Sequence, residues 1–146
     1  MVQLNEQCII LELEATDKEG VLRELAEAVH DHCPTIDLKT MTRILAERES
    51  LGSTGVGNGI AIPHGKIPDL DKLLLCLGRA TAGISFDAVD NHPVHLFMMI
   101  LSPPATAGEY LQALARTSKV LKDTTLRNKI LSASDAETIA QIFNHA

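Results

Sequence analysis

The amino-acid sequence predicts an α/β fold, a mixed β-sheet sandwiched between helices on both faces, and three observations lead there. Two apolar runs, "KLLLCLGRA" and "PVHLFMMIL", are continuous rather than alternating, the pattern of strands covered on both sides. Segments with helical spacing precede and follow them, so cover is available on either face. With 146 residues, 45% apolar and 22% charged, the chain is long enough for one sizeable core and has the balance of a globular protein. One domain spanning residues 1–146 is expected.

Taken in order, "CIILEL" reads as a short first strand. "TDKEGVLRELAEAV" opens with a capping box, Thr16 to Glu19, and places Val21, Leu22, Leu25, Ala28 and Val29 on one helical face. "HDHCP" breaks that helix, and Asp37 caps a second in which Leu38, Met41, Ile44 and Leu45 form the stripe down to about Glu49. "GIAIPH" reads as a short strand ended by Pro63, followed by the two buried strands. Between those, "TAGISFDAVDNHPVHLF" turns through Gly83 and Asp90-Asn91, and an antiparallel pairing there would make the sheet mixed, the strand order staying open. From Glu109 the chain is helical again, in "EYLQALARTSKVLK" with Leu111, Leu114, Ala115 and Val120, and in "SDAETIAQIF", opened by a capping box from Ser134 to Glu137.

The bulk chemistry excludes several functions. Thirteen Lys and Arg against nineteen Asp and Glu leave a net charge of −6 with no basic stripe, so nucleic-acid binding is not expected. A mildly acidic surface suits docking to a basic patch on another protein. Cys8, Cys33 and Cys76 are odd in number and lie in or beside apolar segments, as buried thiols of a reducing compartment do. The apolar runs fall short of a membrane span and "MVQLNEQ" lacks the form of a signal peptide, so a cytoplasmic protein is expected.

The stretch "GSTGVGNGIAIPHGK" carries the strongest local signal. It is no nucleotide loop: a phosphate-binding P-loop would need glycine at Ile60 and Ser or Thr at Ile67, and the dinucleotide fingerprint would also need glycine at Ile60. Hydroxyls at Ser53 and Thr54 and amides at Gly52, Gly55, Gly57 and Gly59 are of the kind that gather around an anion. Pro63 stiffens the mount of His64, and Gly65 leaves space for a partner to approach. An imidazole with a pKa near 6.5 is largely neutral at pH 7 and offers a lone pair for attack on phosphorus, with Arg48 the nearest cation able to meet the charge. The residues alone leave two readings open, a nucleophilic His64 and an ordinary loop histidine.

"RESLGSTGVGNGIAIPHGK", together with "GISFDAVDNHPVHLFMMILSP", resembles the phosphohistidine domain of the fructose/mannitol-type enzyme IIA proteins of the bacterial phosphotransferase system, and most of all their stand-alone nitrogen-regulatory branch. The resemblance runs from the first helix to the C-terminal helices. It implies that His64 takes a phosphoryl group on Nε2 from an HPr-like phosphocarrier, with Arg48 beside it. It implies no cofactor. In the nitrogen branch it implies that phosphorylation state controls partners such as potassium-transport proteins or sensor kinases, and in sugar-specific relatives that the phosphoryl group passes to a IIB domain. One position departs from the family pattern: Tyr110 stands where a second histidine is common, and a phenol can donate a hydrogen bond but carries no positive charge.

The remaining candidates are weighed against that site. His95, on a strand, is read as a core histidine more readily than as a helper. His30, His32 and Cys33 cluster in "HDHC" without the second cluster of a structural zinc site, so no metal is expected. Asp87, Asp90 and His92 read as turn residues, His145 as part of a fraying tail, and Met98 and Met99 as core. Ile67 and Leu70 are expected to be exposed apolar residues of a docking interface. Rival functions are a binding module that uses phosphorylation only as a charge switch, and, weakly, a hydrolase, for which the Gly-x-Ser-x-Gly elbow is missing.

Overall fold

The structure is a computed structural model and describes residues 2–146. Its six strands are β1 (Ile9–Ile10), β2 (Gly55–Gly57), β3 (Ile60–Ala61), β4 (His64–Lys66), β5 (Leu74–Ile84) and β6 (Val94–Ser102). The five helices are α1 (Lys18–His32), α2 (Leu38–Ser50), α3 (Ala107–Lys122), α4 (Thr124–Ser132) and α5 (Ala136–Asn144). The sheet runs β1-β5-β6-β3-β2, and β4 pairs with β6 beyond β3. The β5–β6 and β2–β3 pairs are antiparallel and the others parallel, so the sheet is mixed.

Strand β6 is the spine. Phe97, Met99 and Leu101 point to one face, where α1 and α2 contribute Val21, Leu25, Val29, Met41 and Leu45. Leu96, Met98 and Ile100 point to the other, against Val120 and Leu121 of α3, Ile130 of α4, and Ile139 and Phe143 of α5. Period-two alternation thus builds two cores from one continuous apolar run. Among the described residues no helix is long and apolar enough to cross a membrane.

The structure corrects several local expectations. The first strand is only Ile9–Ile10, preceded by a 3-10 turn over Glu6–Cys8. Helix α1 is capped by Asp17, whose carboxylate accepts from the Gly20 amide at 2.8 Å, and α5 by Asp135, which accepts from Thr138 at 2.7 Å, each one residue after the hydroxyl cap expected. Asp37 caps α2 as expected, accepting from the Thr40 amide at 3.0 Å. Helix α3 begins at Ala107, two residues before Glu109, and α4, capped by Asp123, has no counterpart in the sequence reading.

The glycine-rich stretch is a hairpin. Strands β2 and β3 join at Asn58 (φ 57°) and Gly59 (φ 74°), both in the left-handed region that a type I′ turn demands and that glycine and asparagine accept at little cost. Past Ala61 the chain detours at Ile62 and Pro63 and rejoins β6 as β4, with His64 opposite Ile100 and Lys66 opposite Ser102. His64 therefore opens a second short strand; it does not close the first.

Candidate functional site

His64 sits in the last line of the sheet with its side chain on the face of Ile100, toward α3. Gly65 points the other way, toward α2, where a Cβ would come within 2.9 Å of Ile44 Cγ2. The glycine thus serves the close approach of α2, not the approach of a partner, and it is buried. Arg48 lies in the last turn of α2 and reaches around the sheet edge. Its Nε donates to His64 Nε2 at 3.1 Å, and its Nη1 donates to the Gly52 carbonyl at 3.0 Å.

The partners fix the tautomer of the ring. His64 Nδ1 lies 3.0 Å from the Ile62 carbonyl, which can only accept, so Nδ1 carries the proton. Arg48 Nε can only donate, so Nε2 carries the lone pair. Burial holds the pKa of His64 below its ordinary 6.5; the Arg48 charge adds to this, while the Ile62 hydrogen bond and the Glu49 charge oppose it. The half-buried imidazole is therefore neutral at pH 7, with one nitrogen presented for reaction. Tyr110, also half-buried, tilts over it with ring centroids 5.4 Å apart and planes at 47°.

These groups line a cleft of about 320 Å³ formed by Ile44 and Arg48 of α2, His64, Gly65 and Lys66 of β4, Ser102 at the end of β6, and Tyr110 of α3. No acidic side chain lines it. A larger groove of about 1210 Å³ runs between the N-terminal segment, α3 and α5, but its arginine, Arg116, is committed to the Val2 and Phe143 carbonyls at 2.6 and 3.0 Å. The pairing of imidazole with guanidinium, not size, singles out the small cleft.

Ser53 and Thr54 do not join it. The Ser53 hydroxyl donates to the Phe86 carbonyl at 2.8 Å and accepts from the Gly55 amide at 3.0 Å. Thr54 is buried, and both its amide, at 3.1 Å, and its hydroxyl donate to the Glu49 carboxylate. Of the glycine amides expected around an anion, that of Gly52 donates to the Glu49 carbonyl at 3.2 Å at the end of α2, while Gly55, Gly57 and Gly59 belong to the hairpin. Pro63 is buried, and its carbonyl accepts from the Ile100 amide at 2.9 Å, which anchors the turn into β4.

Ile67 and Leu70 are buried, correcting their place in an interface. The exposed apolar residues near the cleft are Leu51, 84% exposed just after α2, and Leu111, 61% exposed and next to Tyr110. His95 lies outside the cleft: its Nδ1 is 3.0 Å from the Ala80 carbonyl and its ring lies against Gly83. Asp87 and Asn91 adopt left-handed turn conformations, and Asp90 accepts from the amides of Asn58 and His92. His30 and His32 are bonded through Nδ1 to Ile36 and Gln7.

Glu49 was missed by sequence reasoning. Buried one residue after Arg48, it meets Lys18 Nζ at 2.9 Å, and that ammonium also lies 3.5 Å from Asp87 and 4.9 Å from the Phe86 ring centroid. No sequence signal separates this glutamate from Glu47, the exposed carboxylate of the same helix.

Fold and site together define a mixed α/β protein that presents one neutral imidazole beside one guanidinium in a cleft free of acids. The family model described as phosphoenolpyruvate-dependent sugar phosphotransferase system, EIIA 2, matches residues 2–146, and the chain belongs to that family. It is 33% identical to a nitrogen regulatory protein of Bradyrhizobium diazoefficiens over 93% of this chain and 88% of the relative. It is 35% identical to a fructose-specific EIIA component of Haloferax volcanii, again over 93% and 88%. The crystal structure of nitrogen regulatory protein IIA-Ntr from Neisseria meningitidis superposes with a TM-score of 0.89 at 28% identity, covering 96% of this chain and 95% of that one. The protein is thus a IIA-type phosphocarrier component of the phosphotransferase system with nitrogen regulatory homologues.

Proposed function

We propose that His64 Nε2 accepts a phosphoryl group from the phosphohistidine of an HPr-like carrier, and that the phosphorylation state of this protein governs partner proteins of nitrogen or potassium physiology. The observation that carries this reading is the fixed tautomer: Nδ1–H on the Ile62 carbonyl and a lone pair at Nε2 facing Arg48. In the transfer the donor's P–N bond breaks as the Nε2–P bond forms, and the donor imidazole leaves with its own electron pair. His64 keeps its Nδ1 proton, so no base is required, and the cleft offers none. As the bond forms, Arg48 Nε passes from Nε2 to a phosphoryl oxygen while Nη1 stays on the Gly52 carbonyl, using the charge-assisted hydrogen bonds that guanidinium makes with phosphate. Leu51 and Leu111 flank the cleft as apolar anchors for the docked carrier.

The test is incubation with phosphoenolpyruvate, an enzyme I and an HPr-like carrier, read by intact mass and acid lability. One phosphoryl group is expected on the wild type and none on His64→Ala; transfer that survives the substitution overturns the reading. The likeness to a fructose-specific EIIA component favours a second reading, a sugar-permease IIA that discharges onto a IIB domain. Adding fructose- and mannitol-type IIB domains to the phosphorylated protein separates the two: rapid discharge supports the permease role, and stability with phosphorylation-dependent capture of a regulatory partner supports the first.

A further inference from the structure

A phosphoryl group on nitrogen carries nearly two negative charges, and besides the phosphorylated ring itself, which is cationic while Nδ1 keeps its proton, the side chains described so far around it answer with one full positive charge. Arg48 is that charge, pinned through Nη1 to Gly52. Tyr110 adds none, because burial pushes its phenol above the ordinary range, with Arg48 opposing only in part, and it stays neutral near pH 7. His95 is remote and tied to Ala80.

Lys66 is placed differently. It lies two residues after His64 on β4, and side chains at i and i+2 of a strand share a face. The register agrees: His64 pairs with Ile100 and Lys66 with Ser102, residues of β6 on the same side, while Gly65 between them turns to α2. Lys66 and Ser102 both line the cleft with His64 and Arg48. Lys66 is exposed, and among the described residues it takes part in no ion pair, unlike Lys18, Arg23 and Arg43.

We propose that Lys66 is the second cation of the phosphoryl site, closing on the transferred group from the strand side while Arg48 holds it from the helix side; this rests on His64 being the acceptor. The division of labour follows from the side chains. Arg48 is a planar fork held in place, suited to fixed geometry. Lys66 is a compact charge on a flexible stem, able to follow phosphorus as it moves from donor to acceptor. Its charge, rather than its hydrogen-bond geometry, is what the site uses, so arginine should substitute.

The experiment uses phosphoramidate, a small phosphoryl donor, so that carrier docking plays no part: its P–N bond breaks as the Nε2–P bond forms, and ammonia leaves. Wild type, Lys66→Met and Lys66→Arg are compared by rate of phosphohistidine formation at low and high salt, and by 31P NMR titration of the bound group. Lys66→Met is expected to form phosphohistidine about fivefold more slowly at low salt, with the difference shrinking at high salt, as an exposed charge requires. Its phosphoryl group should pass from dianion to monoanion at higher pH than in wild type. Lys66→Arg should restore both. A Lys66→Met protein with wild-type rate and wild-type phosphoryl titration overturns the proposal while leaving His64 as acceptor. A wild type that gains no phosphohistidine from phosphoramidate or from the carrier overturns both readings.

Discussion

Gly65→Ala tests the mount of the site directly. An added Cβ would lie 2.9 Å from Ile44 Cγ2 and 3.7 Å from Leu45 Cδ2. The first distance is well inside the ~3.5 Å of ordinary carbon contact. Ile44 Cγ2 hangs from a branched Cβ and has no rotamer freedom to retreat without moving the second methyl branch. Overpacking of this kind costs about 1–3 kcal/mol. Gly65 has no positive φ, so alanine also stiffens the unfolded chain, which returns about 0.4–1 kcal/mol. The net expectation is destabilisation of about 1–2 kcal/mol by urea unfolding, the clash outweighing the entropy gain.

The strain should also reach the chemistry. Arg48 is one helical turn beyond Ile44, so a shift of α2 away from β4 carries its Nε away from His64 Nε2 and raises the imidazole pKa by removing a nearby positive charge. Gly65→Ala/Ile44→Ala deletes the clashing methyl, and the double variant should be more stable than the sum of the single changes by about 1 kcal/mol, with the His64 titration restored. If Gly65→Ala unfolds at the wild-type urea concentration, or if the pair is additive, the close approach of α2 is not what the glycine provides.

Three further outcomes follow from the same geometry. The 15N-detected titration of His64 should have its midpoint below 6.5, and Arg48→Met should move it upward. Since the unfolded chain binds that proton more readily, the contribution of His64 to stability is complete above about pH 6.5 and is lost as pH falls through the lower folded value; His64→Gln should flatten this part of the profile. Glu49→Ala should destabilise by about 2–3 kcal/mol in urea, because it strands the buried Thr54 amide and frees Lys18, and a change below about 0.5 kcal/mol would contradict the network. Burial pushes the thiol of Cys8 up to about 11 and that of Cys76 further in the same direction, so iodoacetamide at pH 8 should label only Cys33 in the native protein and all three cysteines after unfolding; prompt native labelling of Cys8 would show the first core open.

The legible parts of the fold were those where one physical signal dominates. Strands β5 and β6 are continuous apolar runs, and α1 and α2 have full stripes. Helix α4 escaped because Leu126 and Ile130 are its only large residues on the core side, too few to show a period. The hairpin carries its own turn signal, Asn58-Gly59 between two short strands, but the same run of glycines also fits an anion cradle, and composition does not separate the two uses. Ile67 and Leu70 were misplaced because "GKIPDL" looks like a polar loop, whereas the Ile67 amide extends the ladder to the Ser102 carbonyl at 2.9 Å and turns its side chain into the core beneath α1 and α2. For the candidate site, the residues alone leave His64 open between a nucleophile and an ordinary loop histidine, and make Arg48 legible only as the nearest cation. Their meeting across 16 residues depends on the close passage of α2 over Gly65, which spacing does not encode.

Arg48 and Glu49, adjacent in sequence, divide the end of α2 into two electrostatic roles. Successive helical residues point about 100° apart, so the guanidinium turns to the cleft and the carboxylate into the hairpin. Left unpaired, Glu49 would largely cancel the charge offered to a phosphoryl group. Lys18 at 2.9 Å offsets this, since its ammonium, from α1, pairs with the carboxylate. Helix ends act in the same sense: the C-terminus of α2, which carries partial negative charge, is answered by Arg48 bonded to the Gly52 carbonyl, while Tyr110 brings the positive first turn of α3 to the opposite wall. The cleft thus keeps its positive potential although the whole chain carries a net charge of −6, so a single anionic group is attracted locally while the acidic exterior remains available to a basic carrier.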